Sequence, residues 1–219
     1  APALWVDNST VTPGGTLTLE GDGMIVTSSG LTGENGLFLH SNAAAATGPI
    51  QIDQSILSTS AANAQIRVES SSGGAAVGDS GFLSGTGVSL TSSGLQATGA
   101  GSSIVINGRG AASGGTGVSF VMSPLQADSI SITGTGVVDG HGIWSENFGG
   151  GLVSTLSAIN LTLNGQSANN ATAPNKAGVL LSNGAAIVLR GRGAASINGD
   201  TAVLGGTAAG QPFTASGDA

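Results

Sequence analysis

The segment Ile104-Val-Ile-Asn-Gly-Arg-Gly110 decides how this chain folds, because its pattern recurs along the sequence with apolar residues at positions one and three and glycine at position five. Alternation with a period of two is typical of a β-strand that buries one face. Starts at residues 104, 130, 161 and 187 are 26 to 31 residues apart, a spacing typical of one turn of a β-solenoid. The other copies are Leu17–Gly23, Ile130–Gly136, Leu161–Ser167 and Ile187–Gly193.

Two further repeated segments precede the motif. One is represented by Leu125-Gln-Ala and the other, which begins with glycine, by Gly117-Val-Ser-Phe. Three short strands per repeat predict an all-β fold, a single-stranded right-handed parallel β-helix (β-solenoid) with three short strands per turn and about 26 to 31 residues per turn. Between residues 36 and 86 the spacing is irregular, and the expected strands there are Gly36-Leu-Phe-Leu, Ile50-Gln-Ile-Asp and Ile66-Arg-Val-Glu.

The motif also predicts which side chains are buried, because both apolar residues of each copy point to one interior and stack on the next turn at about 4.8 Å. Glycine at position five is expected to turn a sharp corner with positive φ. At position six we expect Arg109, Thr135, Gln166 and Arg192 to stack. The expected buried column is Leu17, Leu19, Ile104, Ile106, Ile130, Ile132, Leu161, Leu163, Ile187 and Leu189, with Thr18, Val105, Ser131, Thr162 and Val188 outward.

The 219 residues are predicted to form one β-helix domain, with an N-terminal cap at 1–10, solenoid turns at 11–204 and a C-terminal tail or continuation at 205–219. Trp5 is expected to cover the first turn, and the turn at Ala202 to Leu204 is expected to be poorly covered. The segment lacks a signal-peptide pattern, so we expect any export signal to lie outside this chain.

Composition excludes several classes of partner. A net charge of -7 with only five basic residues leaves no basic stripe for nucleic acid. Gly, Ser, Thr or Asn interrupts each apolar run before the ~18 residues of a membrane helix, so no membrane insertion by this segment is expected. The absence of Cys removes disulfides and thiolate metal ligands, and the two His and twelve carboxylates show no metal-ligand spacing. We predict no metal and no cofactor.

The repeats, the Ser/Thr/Asn/Gly background and the acidic balance resemble filamentous-haemagglutinin-like adhesins and autotransporter passengers of bacteria. This resemblance implies a non-enzymatic structural or adhesive segment of a secreted or surface-anchored exoprotein, located outside the cell or on its surface. Its partners would be a host-cell or matrix glycan or protein, or further copies of itself end to end.

A second resemblance favours the alternative, a carbohydrate-active β-helix enzyme of polygalacturonase or pectate-lyase type. The stretch from Ile132 to Trp144 is similar to a structural turn of polygalacturonases. Those enzymes use paired Asp residues and an Arg-x-Lys strand. This chain has no Asp-Asp pair, and no Arg lies two positions before its only lysine, Lys176. An inverting hydrolase needs two carboxyl groups about 6.5 to 9.5 Å apart. We therefore predict no enzymatic activity and no catalytic residue.

Five residues near this turn are candidates for surface binding: Asp139, His141, Trp144, Glu146 and Phe148. The carboxylates of Asp139 and Glu146 are the only nearby pair, and they straddle a corner. The aromatic rings of Trp144 and Phe148 either form a platform on which a sugar stacks or cover the interior under a longer loop.

Overall fold

All regular structure in the described part of the chain is β-strand. The computed structural model describes residues 4–41, 48–71, 85–111, 115–145, 154–167, 177–182, 185–199, 202–204 and 214–217. Strands are numbered β1 to β21 along the chain, and all pairs between these strands are parallel.

The first sheet contains eight strands whose neighbours in space follow their order in the sequence. Most of its short strands carry apolar side chains at alternate positions, such as Leu4 and Val6 or Ile50 and Ile52. The strands are β1 (Leu4–Asp7), β4 (Met24–Thr27), β7 (Ile50–Asp53), β10 (Val88–Thr91), β13 (Val118–Val121), β16 (Ile143–Ser145), β18 (Val179–Leu181) and β20 (Ala202–Leu204).

The second sheet contains thirteen strands and receives two segments from each repeat. The first segments are β2 (Thr10–Val11), β5 (Gly30–Thr32), β8 (Ile56–Thr59), β11 (Gly94–Ala97) and β14 (Leu125–Gln126). The second segments are β3 (Thr16–Gly21), β6 (Gly36–Ser41), β9 (Gln65–Ser70), β12 (Ser103–Arg109) and β15 (Ser129–Thr135). The long strands β17 (Thr155–Gln166) and β19 (Ala186–Gly199) combine both segments, and β21 (Thr214–Gly217) pairs with β19.

The order of pairing explains the repeat in the sequence. From β1 to β14, each strand pairs with the strand three places later in the chain, and both β14 and β15 pair with β17. The same segment of each repeat therefore lies beside its counterpart in the next. The chain is an all-β protein of parallel strands in curled sheets, consistent with a β-helix or solenoid-like fold.

The predicted buried column is confirmed in the middle of the molecule. Leu17, Leu37, Ile66, Ile104, Ile130 and Leu161 are successive partners in register. Of the ten predicted residues, seven are at most 4% exposed, and Leu17, Leu19 and Leu189 are half-buried against the same core. The five residues predicted to face outward are half-buried or exposed: Thr18, Val105, Ser131, Thr162 and Val188. Alternation along the strand therefore sorted the two faces as expected.

The stacking predicted for Ile187–Gly193 is wrong. Ile187 and Leu189 pair with Leu156 and Ala158, one segment earlier than expected, and Ala195 and Ile197 instead pair with Leu161 and Leu163. A bulge between positions 189 and 194 separates the two halves of β19. Arg192 lies in this bulge, so the position-six row contains Arg109, Thr135 and Gln166 without it.

The positive φ predicted for the recurring glycine is confirmed at Gly191, where φ is 60°, and is wrong at three other copies. Gly108, Gly134 and Gly165 do not have positive φ. A Cβ on Gly134 would lie 2.0 Å from the carbonyl oxygen of Gly142, and a Cβ on Gly165 would lie 2.0 Å from that of Gly178. Glycine is required at these three positions because the chain of the next connection passes directly against them.

The predicted turn length and the predicted N-terminal cap need correction. First-sheet strands begin at residues 4, 24, 50, 88, 118, 143, 179 and 202, so repeats span 20 to 38 residues rather than 26 to 31. The three strands expected between residues 36 and 86 are confirmed as β6, β7 and β9.

Trp5 is 63% exposed because it alternates with the inward-facing Leu4 and Val6, so it does not cover the interior. The side chains of Ala202 to Leu204 lie outside the described part.

A ladder of six serines, all buried except the half-buried Ser9, joins six consecutive repeats at the connection between the first and second sheets. The backbone N–H of each serine donates to the Oγ of the next, over 3.0 to 3.2 Å. In the first five, each Oγ donates to the carbonyl two residues earlier, over 2.7 to 2.8 Å. The residue before each of these five has φ between 44° and 51°. This serine ladder consists of Ser9, Ser29, Ser55, Ser93, Ser123 and Ser154.

Candidate functional site

Three of the five predicted surface residues lie at the connection from β15 to β16. Asp139 and its neighbour Val138 have left-handed φ angles of 61° and 36°, and Val138 is 47% exposed. Trp144 lies on the outward face of β16, between the buried Ile143 and Ser145. Glu146 and Phe148 lie outside the described residues.

His141 and Trp144 form a stacked pair of rings. Their centroids are 6.4 Å apart and their planes differ by 13°. The Nδ1 atom of His141 accepts a hydrogen bond from the backbone N–H of Ala177 over 3.0 Å, which leaves the ring proton on Nε2 when the imidazole is neutral. The backbone carbonyl of His141 accepts from Gly117 over 3.0 Å. His141 therefore holds neighbouring repeats together and also presents a ring beside an indole at the surface.

A charged cluster that the sequence analysis missed lies on the outward face of the second sheet. It comprises His40, Arg67, Glu69 and Asn107, on β6, β9 and β12, and is called the Glu69 cluster below. Arg67 Nη2 and Asn107 Nδ2 donate to Glu69 Oε1 over 2.7 and 2.6 Å, and His40 Nδ1 lies 3.7 Å from Glu69 Oε2. An alignment of the repeats between residues 36 and 86 could have found this cluster, because His40, Glu69 and Asn107 are successive partners in register.

The electrostatics of the Glu69 cluster favour a structural role. Burial raises the pKa of the Glu69 carboxyl, but hydrogen bonds from Arg67 and Asn107 and the charge of Arg67 outweigh it, so the pKa lies below its ordinary value. Glu20 is two strands away in the same row, about 9.6 Å by strand spacing. His40 lies between the two carboxylates, in the space that a sugar and a water would need.

A second charged contact joins more distant repeats. Asp128 accepts hydrogen bonds from the backbone N–H of Gly101 over 2.7 Å and from Arg190 Nη2 over 3.1 Å. The same Arg190 atom donates to the backbone carbonyl of Ala127 over 2.5 Å. The bulge in β19 therefore places Arg190 where it braces the connection between the two segments of the second sheet.

A shallow polar groove of about 310 Å³ opens on the outward face of β15, β17 and β19. One bank is a row in register across the three strands, Thr133, Asn164 and Asn198. The other bank contains Thr135 and Gln166, and none of the lining residues is charged. The lining residues are Thr133, Gly134, Thr135, Asn164, Gly165, Gln166, Asn198 and Gly199, and are called the polar groove below.

The described ranges contain neither a metal-binding cluster nor a membrane-spanning helix. Within them, no three His, Cys, Asp or Glu side chains come together as a metal site requires. The same residues include no helix with the length and hydropathy of a membrane span.

Comparison of the chain with protein-family models, with curated proteins and with solved structures found no match.

Proposed function

We propose that this chain is a non-enzymatic structural and adhesive segment of a secreted or surface-anchored bacterial exoprotein, an adhesin or fibre shaft outside the cell. In this proposal the strands form a right-handed parallel β-helix with three strands per turn. The observation that carries the proposal is the serine ladder, which links six repeats without a break.

The pairing pattern supports a stiff rod. Each repeat contacts chiefly its neighbours, as in other repeat proteins, so further repeats extend the molecule without changing its cross-section. Buried side chains from successive repeats form one continuous core from Met24 to Ile187. A shaft with a continuous core and a hydrogen-bonded connection resists local opening, which is useful in an environment with proteases.

Adhesion would use side chains on the outer faces of the rod. The stacked pair of His141 and Trp144 and the polar groove both present groups that suit a host-cell or matrix glycan or protein. The edge strands β1 and β3 have a partner on one side only in the described structure, so further copies could also add end to end.

The rival function is hydrolysis or lysis of a polysaccharide. The row of Glu20, His40 and Glu69 contains two carboxylates, but Arg67, Asn107 and His40 surround both oxygens of Glu69. Asp139 lies on a different connection from this row. We therefore propose that the chain does not cleave glycans.

Limited proteolysis and cell binding test the shaft. We expect the purified chain to resist a broad-specificity protease and beads coated with it to bind host cells. The control variant is Phe120→Asp, which places a charge at a fully buried position and should be digested quickly. Rapid digestion of the natural chain would contradict the rod. Equal cell binding by beads coated with the natural chain and with Phe120→Asp would contradict specific adhesion.

An assay of reducing ends tests the rival. We expect no release from polygalacturonate or from neutral polysaccharides. Release that is lost in Asp139→Asn or Glu69→Gln would replace the adhesin proposal with an enzyme. An experimental density map showing a left-handed coil, or two strands per turn, would overturn the proposed architecture.

A further inference from the structure

Three of the side chains that line the polar groove are free to bind, while Asn198 Nδ2 donates to Asn164 Oδ1 and to Ser196 Oγ. In the described part of the chain, the side chains of Thr133, Thr135 and Gln166 make no hydrogen bond. Asn164 Oδ1 accepts one hydrogen bond, from Asn198 Nδ2 over 2.9 Å. In contrast, Glu69 Oε1 on the neighbouring part of the same face accepts two hydrogen bonds, and Glu69 Oε2 lies 3.7 Å from His40 Nδ1.

The spacing of these groups is regular. Neighbouring strands place Thr133, Asn164 and Asn198 about 4.8 Å apart, and alternate residues along β15 place Thr133 and Thr135 about 6.8 Å apart. Pairing on both sides of β15 and β17 fixes the backbone beneath Thr133, Thr135 and Asn164. The groups therefore form a preorganised lattice of donors and acceptors, which reduces the entropy lost on binding.

The chemistry of the lining selects among ligands. Hydroxyl and amide side chains both donate and accept, as sugar hydroxyls do. No cation lines the groove to hold phosphate, and no apolar pocket receives a peptide side chain. β15 and β17 are paired on both sides and offer no backbone edge to a peptide strand, whereas the part of β19 at Asn198 and Gly199 pairs with β17 alone in the described structure.

From these observations we infer that the polar groove binds a neutral, hydroxyl-rich glycan chain lying along the stack of strands. This inference rests on the proposed adhesive function and names the ligand class for one face. The groove has no aromatic side chain, so a few hydrogen bonds supply the affinity and a single site binds with a dissociation constant on the order of 1 mM. Display of many copies on a surface raises the effective affinity.

The exposed Arg109 marks one end of the groove. It lies in register with Thr135, on the strand beyond the lining residues. An acidic sugar would gain a charge-assisted contact only at that end. A neutral chain is the ligand that the lining itself favours, and an acidic chain is a distinct outcome of the test.

The experiment is a titration of the isotope-labelled full chain with cellohexaose, mannohexaose and hexagalacturonate, followed by nuclear magnetic resonance. We expect a neutral hexasaccharide to shift the amide signals of Thr133, Asn164 and Gln166. Asn164→Ala should weaken this binding about fivefold, the effect of one hydrogen bond. The matched control is Gln126→Ala, which removes an exposed amide from β14, outside the groove. Thermal unfolding checks that both variants fold.

The outcomes separate this inference from the proposed function. No shift at the solubility limit of either neutral sugar, shifts confined to His141 and Trp144, or tighter binding of hexagalacturonate centred on Arg109 would each overturn the neutral-glycan groove. Equal weakening by Gln126→Ala would also overturn it. If Asn164→Ala leaves cell binding by coated beads unchanged, the groove is not the adhesive surface, although the chain still acts as an adhesin. Rapid digestion of the natural chain, or the absence of any cell binding by it, would instead refute the proposed function.

Discussion

Two kinds of connection in this molecule differ in how much their length varies from repeat to repeat. The serine connections, which run from a first-sheet strand to the next second-sheet strand, contain two or three residues in the first five repeats. The variable connections, which run from the second sheet back to the first, differ widely in length. The serine connections are 8–9, 28–29, 54–55, 92–93 and 122–124, and the variable connections are 22–23, 42–49, 71–87, 110–117 and 136–142.

The register of the strands is fixed at the serine connections. In the serine connections, a buried N–H of one repeat requires the Oγ of the next, so an extra residue would leave a polar group unsatisfied. The variable connections contain no such ladder in their described residues. Added length there costs little, since loop entropy rises slowly with length.

The largest expected effect comes from an insertion. Two glycines between Ser92 and Ser93 should lower the free energy of unfolding by at least about 4 kcal/mol, because the ladder breaks and the interior face of β11 loses register. The same insertion after Ala112, in a variable connection, should change it by less than about 1 kcal/mol. Chemical denaturation measures both. Equal destabilisation would show that the two connections do not differ.

A smaller effect is expected from glycine positions near the two connections. Gly134→Ala should destabilise by about 3 kcal/mol, because the new Cβ would lie 2.0 Å from the carbonyl oxygen of Gly142. The control is Gly94→Ala, next to a serine connection, where the nearest atom would be Gln96 Nε2 at 3.9 Å. We expect the control to remain within about 1 kcal/mol of the natural chain. Similar denaturation midpoints for the two variants would contradict the steric explanation.

Removal of one hydroxyl from the serine ladder measures how much a single serine connection contributes to stability. Ser55→Ala should cost about 1 to 3 kcal/mol, since the buried N–H of Ser29 loses its acceptor. Ser58→Ala is the matched control on the adjoining strand, where a half-buried hydroxyl shares a 2.8 Å hydrogen bond with Thr32. It should cost about 0.5 kcal/mol. Hydrogen exchange of the Ser29 amide, faster only in Ser55→Ala, would locate the effect.

The smallest effects concern two carboxyl groups near the two connections. Burial raises the pKa of Asp53 above its ordinary value of 3.8, although a hydrogen bond from the Gln54 backbone partly opposes this. The folded state therefore holds the Asp53 proton more tightly than the unfolded chain. The ionised Asp53 disfavours folding at neutral pH, and this cost disappears as pH falls from the raised pKa toward 3.8. Asp53→Asn should therefore increase stability at neutral pH, by less than about 1 kcal/mol after solvent screening.

Glu69 should show the opposite sign. Its folded pKa lies below the ordinary value of 4.5, so its contribution is fully present above pH 4.5 and is lost as pH falls through the folded pKa. Glu69→Gln should decrease stability at neutral pH by less than about 1 kcal/mol and flatten the decline in acid. Thermal unfolding between pH 2 and 7 compares both variants with the natural chain, and slopes of the same sign would contradict the assignment.

Much of the fold could be predicted because the strands carry a local signal. The alternation in Ile104–Gly110 and Ile130–Gly136 identified both strands and their buried faces. The same alternation misplaced Ile187–Gly193, because a β-bulge changes register without changing the pattern of side chains. The candidate site was less predictable, since the Glu69 cluster and the polar groove each combine residues from three strands that are distant in sequence.

The amino-acid sequence is enough to specify an all-β chain, the side chains that face inward along most strands, and the small number of charges available for binding. These properties depend on neighbouring residues and on composition. The tertiary structure alone decided which serines form the ladder and which threonines and asparagines share a groove. In a chain so rich in Ser, Thr, Asn and Gly, those residue types occur everywhere. Only the register between repeats, fixed by short connections and a common core, gives a few of them partners.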